Sequence, residues 1–201
     1  MNSWQNTSLS DSIDGTLKLQ GVSYLMRTVI ANLSITVEPN HYIDDAGVEH
    51  IDMKQIIAGI FNAPTDNLVL NKEDHRRGDN IFGPLVINAR RIKVDELEID
   101  FLKEDWTDDT LEDGVIYCTV RSDTEKTGKD WVVNVVSLII RSGGRRPLTS
   151  CFQDWGFTIK DGVRRFARRY RFTTKDISEP IYVRLYYDYC GCFLSSPANH
   201  D

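Results

Sequence analysis

Residues 159–172 read "IKDGVRRFARRYRF", and the fold turns on how this stretch is taken. Five arginines and three aromatic residues follow an Asp-Gly pair. Val163, Phe166, Ala167 and Tyr170 stand at i, i+3, i+4 and i+7, the stripe of a helix ringed by arginine, as in a nucleic-acid-binding segment. Phe166, Tyr170 and Phe172 also share one side of a period-two strand. Locally both patterns hold, so the rest of the chain has to decide.

The wider sequence favours the strand. After Ile35 nearly every run is rich in Val, Ile, Tyr, Phe and Thr: "ITVEPNHYID", "VEHIDMKQIIAG", "NLVLNK", "GPLVINARRIKV", "GVIYCTVRS", "DWVVNVVSLIIR", "SCFQDWGFTIK" and "IYVRLYYDY". Turn formers separate them, among them "DDAG", "SDTEKTGKD", "RSGG" and "KDISEP". No long helical pattern intervenes to make a parallel crossover, so about nine or ten strands are expected in an antiparallel up-and-down meander. Closing that sheet into a barrel would remove its exposed edges. Helix signals are confined to the start, where Ser10 or Asp11 could cap a first short helix. Tyr24, Leu25, Val29 and Ile30 would line a second, beyond Gly21. The expected organisation is one mainly β domain over 1–201, with a helical segment at about 8–34, barrel strands at about 35–189 and a tail at about 193–201.

Within that frame Asp161-Gly162 is a two-residue hairpin turn, because both residues tolerate the positive φ of a type I′ turn. Pairing then runs outward from Lys160 opposite Val163. Phe157 falls opposite Phe166, Trp155 opposite Arg168, Gln153 opposite Tyr170 and Cys151 opposite Phe172. The other face pairs Thr158 with Arg165, Asp154 with Arg169 and Phe152 with Arg171, and Asp154–Arg169 is expected as a surface ion pair. The register sorts the stretch into an aromatic face and a charged, solvated one. Arg168 alone among the arginines lands on the aromatic face. It either reaches water at a barrel rim or supplies a fixed positive charge to an interior cavity for an anionic or carbonyl-bearing apolar molecule.

Composition excludes several classes. The 201 residues carry a formal net charge of -6, which as a whole repels a phosphate backbone, so no nucleic-acid partner is expected. No apolar run is long enough for a membrane span, and the polar opening "MNSWQNTSLSDSIDG" is not a signal peptide. A cytoplasmic protein with reduced thiols is the expectation for Cys118, Cys151, Cys190 and Cys192. Cys190 and Cys192 lack a second pair or histidine cluster at zinc spacing, so no metal is expected, and no dinucleotide or phosphate-binding motif calls for a cofactor. His75 sits in the charged turn "NKEDHRRGDN" and His200 in the tail. His41 and His50 flank the first hairpin, and His50 could pair with Asp52. The acidic stretch "KEDWTDDTLEDG" reads as a solvated loop near the barrel mouth.

The helical opening, the meander and the ending "VRLYYDY" resemble the calycin group, the lipocalins and intracellular fatty-acid-binding proteins. The last strand of fatty-acid-binding proteins often carries an Arg-x-Tyr pair that grips the ligand carboxylate, and Arg184 and Tyr186 match it. The chain also resembles a set of fungal calycin-like proteins, some found among specialised-metabolism genes, through "LKLQGVSYLMR", "DNIFG" at 79–83 and "DWGFTIKDGVRRFARR". The chain departs from the fatty-acid-binding pattern in its length and in "DELEIDFLKEDWTDDTLEDG", which has no counterpart there. Read without the resemblance, Ile181, Val183 and Leu185 form one face of the last strand, and Tyr182, Arg184, Tyr186 and Asp188 form the other. The aliphatic face goes inward, or it packs against the helices or against a neighbouring subunit of a homodimer while the polar face lines the lumen.

Two functions follow from these residues. One is a cofactor-independent isomerase or cyclase acting on an apolar, carbonyl-bearing specialised metabolite. Arg168 or Arg184 would supply electrostatic stabilisation there, Tyr186 or Tyr182 would donate a hydrogen bond, and Gln153, Trp155, Phe157, Phe166 and Tyr170 would shape the pocket. The other is a non-catalytic carrier of a fatty acid or other apolar ligand, using the same groups as anchors.

Overall fold

The structure is a computed structural model and describes residues 3–19, 23–57, 61–62, 65–79, 83–122, 149–174 and 177–189. The strand expected in "DWVVNVVSLIIR", the break at Gly21, the Cys190–Cys192 pair, His200 and the tail lie outside these residues. The described elements are β1 (Ser3–Gln5), α1 (Asp14–Leu19), α2 (Tyr24–Ala31), β2 (Ile35–Ile43), β3 (Glu49–Ile57), β4 (Phe61–Asn62), β5 (Asp66–Val69) and β6 (Asp74–Asp79). They continue with β7 (Gly83–Ile92), a 3-10 turn (Val94–Glu96), α3 (Asp100–Lys103), α4 (Asp108–Asp113), β8 (Val115–Ser122), β9 (Thr149–Lys160), β10 (Val163–Thr174) and β11 (Ile181–Tyr189).

All described strands belong to one antiparallel sheet, ordered β4-β3-β2-β1-β11-β10-β9-β8-β7-β6, with β5 paired to β3. This is the meander read from the sequence, with β1 inserted between β2 and β11. No strand is expected in the polar opening, and "NKEDHRRGDN" is expected as a charged turn. They supply β1 and β6, because edge strands can carry polar residues on both faces. The sheet curls until Lys72 N–H donates to the Ala89 carbonyl and Arg91 of β7 pairs with Glu49 of β3. No ladder joins β6 to β4 or β5, so the expected full closure is not reached among the described residues.

The β9–β10 hairpin matches the register expected from the Asp-Gly turn. Asp161 and Gly162 have φ of 52° and 72°. Lys160 pairs with Val163, Phe157 with Phe166, Trp155 with Arg168, Gln153 with Tyr170 and Cys151 with Phe172. Beyond the turn, the side chains from Phe157 and Phe166 onward face a lumenal core shared with Val37, Met53, Ile116, Val183, Leu185 and Tyr187. Burying that apolar surface, at about 25 cal/mol per Å², is the main term holding the sheet in its curl.

A second core lies on the outer side of the same strands. Residues 94–113 fold back over β8–β11 and bury Val94, Leu97, Leu102 and Trp106 against Ala167 and Tyr186. The stretch read as a solvated acidic loop is therefore an apolar cap with acids on its outer surface. Gly156 lets it approach: a Cβ there would lie 2.7 Å from Thr110 Cγ2 and 3.0 Å from the Trp106 ring. Thr110 Oγ1 accepts from Phe157 N–H, and Thr107 N–H donates to the Phe157 carbonyl. At the start of the chain α1 buries Leu17, while α2 buries Ile30 and leaves Tyr24, Leu25 and Val29 exposed. Only one of the four residues expected to line α2 packs inward.

Candidate functional site

Among the described residues, Arg168 brings a full positive charge into the lumen. Arg168 projects from β10 into the interior and is 2% exposed. Its guanidinium stacks on Trp155 at 4.6 Å and on Tyr170 at 5.4 Å, and Nη2 donates to Gln153 Oε1 at 3.2 Å. The same Gln153 oxygen accepts from Trp155 Nε1 at 3.1 Å. Among the described residues, Arg168 Nε and Nη1 and the Tyr170 hydroxyl have no hydrogen-bond partner, while the Tyr187 hydroxyl lies beside the guanidinium and favours its charge. Burial works against the Arg168 charge. Asp66, with Tyr170 and Tyr187 once they ionise at high pH, holds the proton on, so the guanidinium pKa lies above its usual value. Burial pushes the hydroxyls of Tyr170 and Tyr187 up, so both stay neutral donors at physiological pH. Burial likewise pushes the Cys118 and Cys151 thiols up to about 12, leaving them unionised apolar wall.

A cavity of about 270 Å³ opens at the end of the barrel beside α4. Ile51, Met53, Ile116, Trp155, Phe157 and Phe166 give it apolar walls, and His41, Arg91 and Arg164 stand at its polar margin. Trp155 belongs to both features, since its ring lines the cavity and also carries Arg168. A second cavity, about 210 Å³, lies under the α1–α2 pair between Gln5, Leu17, Ile30 and Ile35.

The structure brings together Arg168, Gln153, Trp155 and Tyr170, with Phe157 and Phe166 further along the same face. It separates Arg184, Tyr186 and Tyr182 from them. Arg168 pairs with Leu185 across the ladder, whereas Arg169 pairs with Arg184 and Ala167 with Tyr186, so the Arg-x-Tyr pair faces outward. Val183 and Leu185 turn inward instead, 2% exposed each. Arg184 stacks on Phe101 at 4.4 Å and pairs with Glu104 of the cap, while Tyr186 packs under it. Alternation explains the outcome: a run with aliphatic and polar faces beside an apolar lumen sends its aliphatic face inward.

The remaining arginines of β10 also find partners. Arg164 pairs with Asp109 and Arg165 with Asp188, and Arg171 lies over Phe152. Arg169 is not the solvated residue expected. It is 1% exposed, stacked at 3.7 Å on Trp106, with its Nη1 donating to the Leu102 carbonyl at 3.5 Å. Its cross-strand neighbour Asp154 is 0% exposed and neither carboxylate oxygen is partnered, so the expected surface ion pair is a buried pair without a hydrogen bond. Burial drives the Asp154 carboxyl well above the usual range, although Arg169 opposes this. The signal for the covering cap was the spacing of three or four residues between Val94 and Leu97 and again among Leu102, Trp106 and Thr110, hidden by the surrounding acids.

The histidines do not form the acid–base pair considered. His50 faces outward, stacks on Tyr42 at 4.9 Å and lies 2.9 Å from Asp44 Oδ2, while Asp52 accepts from Asn67. His41 faces the lumen's open end, with Nε2 2.9 Å from Glu49 Oε1. Among the described residues, no group of three or more His, Cys, Asp or Glu side chains converges where it could hold a metal ion. No helix among them is long and apolar enough to cross a membrane.

No protein-family model matches the chain, and a search of curated proteins found no match. Solved structures do. Apo lipid binding protein 8 of Caenorhabditis elegans aligns over 92% of this chain and 91% of its own, with a TM-score of 0.50 and 11% identity. A weaker likeness, TM-score 0.47 at 11% identity over 92% of both chains, is to fatty-acid-binding protein 1 of Echinococcus granulosus. At such identity the first likeness is one of fold. Together with the single antiparallel sheet, the short early helices and the apolar lumen, it makes the architecture that of a calycin-like β-barrel.

Proposed function

We propose that this protein is a carrier that encloses an apolar small molecule bearing an acidic or carbonyl group, with Arg168 as its polar anchor. The observation that supports this most is a fully buried guanidinium in an apolar lumen with two nitrogens unpartnered among the described residues. A charge in that setting is costly unless something pairs with it, and a ligand oxygen is the natural partner. The Tyr170 hydroxyl, likewise unpartnered, adds a neutral donor beside it. The cavity of about 270 Å³ is at the small end of ligand pockets, typically about 300–1,000 Å³. A long acyl chain fits there only with its tail leaving through the open end of the barrel, whereas a compact ligand fits whole. An apolar, carbonyl-bearing specialised metabolite is one such class, and the likeness to a lipid binding protein also favours carriage of an apolar molecule.

The carrier fits better than an isomerase or cyclase. That chemistry needed Arg168, Arg184 and Tyr186 around one substrate, and two of the three are on the opposite side of the wall. Native mass spectrometry of protein purified from its own host tests the proposal. A stoichiometric acidic or carbonyl-bearing ligand, lost in Arg168→Met, is the expected result. Conversion of that ligand to an isomer on prolonged incubation would restore the enzyme reading. Protein that retains nothing, and that does not bind cis-parinaric acid, would sink the carrier.

A further inference from the structure

We infer that ligand enters at the end of the barrel beside α4, opposite the α1–α2 pair. Two ionic bars, the exposed Arg164–Asp109 and the half-buried Arg91–Glu49–His41, form the gate there. The inference rests on the carrier reading, because it names the route into the same lumen.

Strand polarity fixes what stands at each end. β2 runs away from α2 to His41 and Ile43, β11 ends at Tyr189 opposite Ser3, and the Asp161-Gly162 turn lies at this same far end. Ile43, Ile159 and Tyr189 are 66%, 56% and 57% exposed there, at positions whose neighbours two residues earlier face the lumen. These exposed apolar side chains stand beyond the polar margin of the far cavity, where an apolar molecule sheds part of its hydration before it reaches the gate.

The two ends are closed by different forces. Among the described residues, the near end is covered by Leu17 and Ile30, 1% and 2% exposed, with Ile13 and Leu19 packed against the lumenal core. Opening it would return that apolar surface to water. At the far end, Arg164 lies 3.7 Å over the Phe157 ring and reaches from β10 to Asp109 of α4. Glu49 receives Arg91 from β7 and contacts His41 from β2, spanning the part of the sheet that no ladder closes. The side chains of Arg164 and Asp109 are 47% and 55% exposed. Exposed ion pairs contribute little to stability and are screened by salt. The far end therefore opens at the smaller free-energy cost.

The test reads lumen access with and without ligand. In a chain carrying Cys190→Ser and Cys192→Ser, the lumenal thiols Cys118 and Cys151 are reacted with dithiodipyridine, and uptake of cis-parinaric acid is followed by stopped flow. Arg164→Ala and Glu49→Gln should each speed both processes several-fold, as should added salt. Arg27→Ala breaks the 2.7 Å Arg27–Asp14 pair at the near end and should change neither. Far-end variants that react at the wild-type rate overturn the inference, whether or not Arg27→Ala is faster. If thiol access follows the far-end variants but cis-parinaric acid does not bind, the route stands and the carrier falls.

Discussion

Removing the lumenal charge should stabilise the empty protein while weakening its grip on ligand. Arg168→Met keeps an unbranched apolar stem of similar reach and deletes the guanidinium. The arginine makes one hydrogen bond to Gln153 and stacks on Trp155 and Tyr170. A hydrogen bond to a charged group contributes about 1.5–3 kcal/mol. Desolvated cation–π stacking adds about 2 kcal/mol. Against these stands the burial of an ion, which costs several kcal/mol even after relaxation, so exchange for a packed apolar residue should be stabilising by about 1–3 kcal/mol. Gln153 Oε1 still accepts from Trp155 after the change, so no new orphan is made there. In a chain of this size each kcal/mol moves Tm by about 2–4 °C, giving a rise of about 2–12 °C. Affinity for cis-parinaric acid should fall by about one to two powers of ten, the worth of a charge-assisted hydrogen bond. Thermal unfolding followed by near-ultraviolet circular dichroism and a fluorescence titration measure the two effects. A lower Tm with unchanged affinity would refute the reasoning and make Arg168 a structural residue.

Gly156→Ala should push the cap off β9, because its new methyl meets Thr110 and Trp106 at 2.7 and 3.0 Å. A loss of about 1–3 kcal/mol in urea unfolding is expected for such overpacking, and a neutral result would mean that the cap does not seat there. Gly162→Val meets nothing within 4 Å but must adopt φ near 72°. A loss of about 1–3 kcal/mol from backbone strain alone is therefore expected, and an unchanged Tm would misplace the hairpin. Asp154, whose folded carboxyl titrates well above its unfolded value, favours folding fully below the unfolded pKa. That contribution is lost as pH rises towards the folded value. Stability of the wild type should thus fall between mildly acidic and neutral pH, and Asp154→Asn should flatten that slope; an unaltered slope assigns the dependence to other groups.

Much of the architecture was legible because one local rule propagated. The positive φ demanded at Asp161-Gly162 fixes the turn, the turn fixes the register, and alternation then sends Arg168 inward and Arg169 outward. What alternation does not reveal is whether the outward face meets water. Trp106 and Leu102 arrive from a segment whose acids mask its apolar period, so Arg169 and Asp154 looked solvated. The last strand shows the other limit. Val183 and Arg184 alternate equally well in either orientation, and only the apolar lumen decides between them. Resemblance to an Arg-x-Tyr ligand grip pointed the wrong way because a two-residue spacing specifies a shared face and not its direction.

The β9–β10 pair is a partition with a packed chamber on each side, and consecutive residues such as Arg168 and Arg169 answer to different neighbours. Amide hydrogens along it should be among the last to exchange with deuterium, since opening these strands disturbs two interiors together. Substitutions there are constrained twice over. In contrast, β2 and β3 present their outer side chains, such as Thr36, Asn40, Asp52 and Lys54, partly or fully to solvent. An engineer wishing to reshape the lumen for a new guest would do better to vary Val37, Ile51 and Met53, where only one side of the wall has to be refitted.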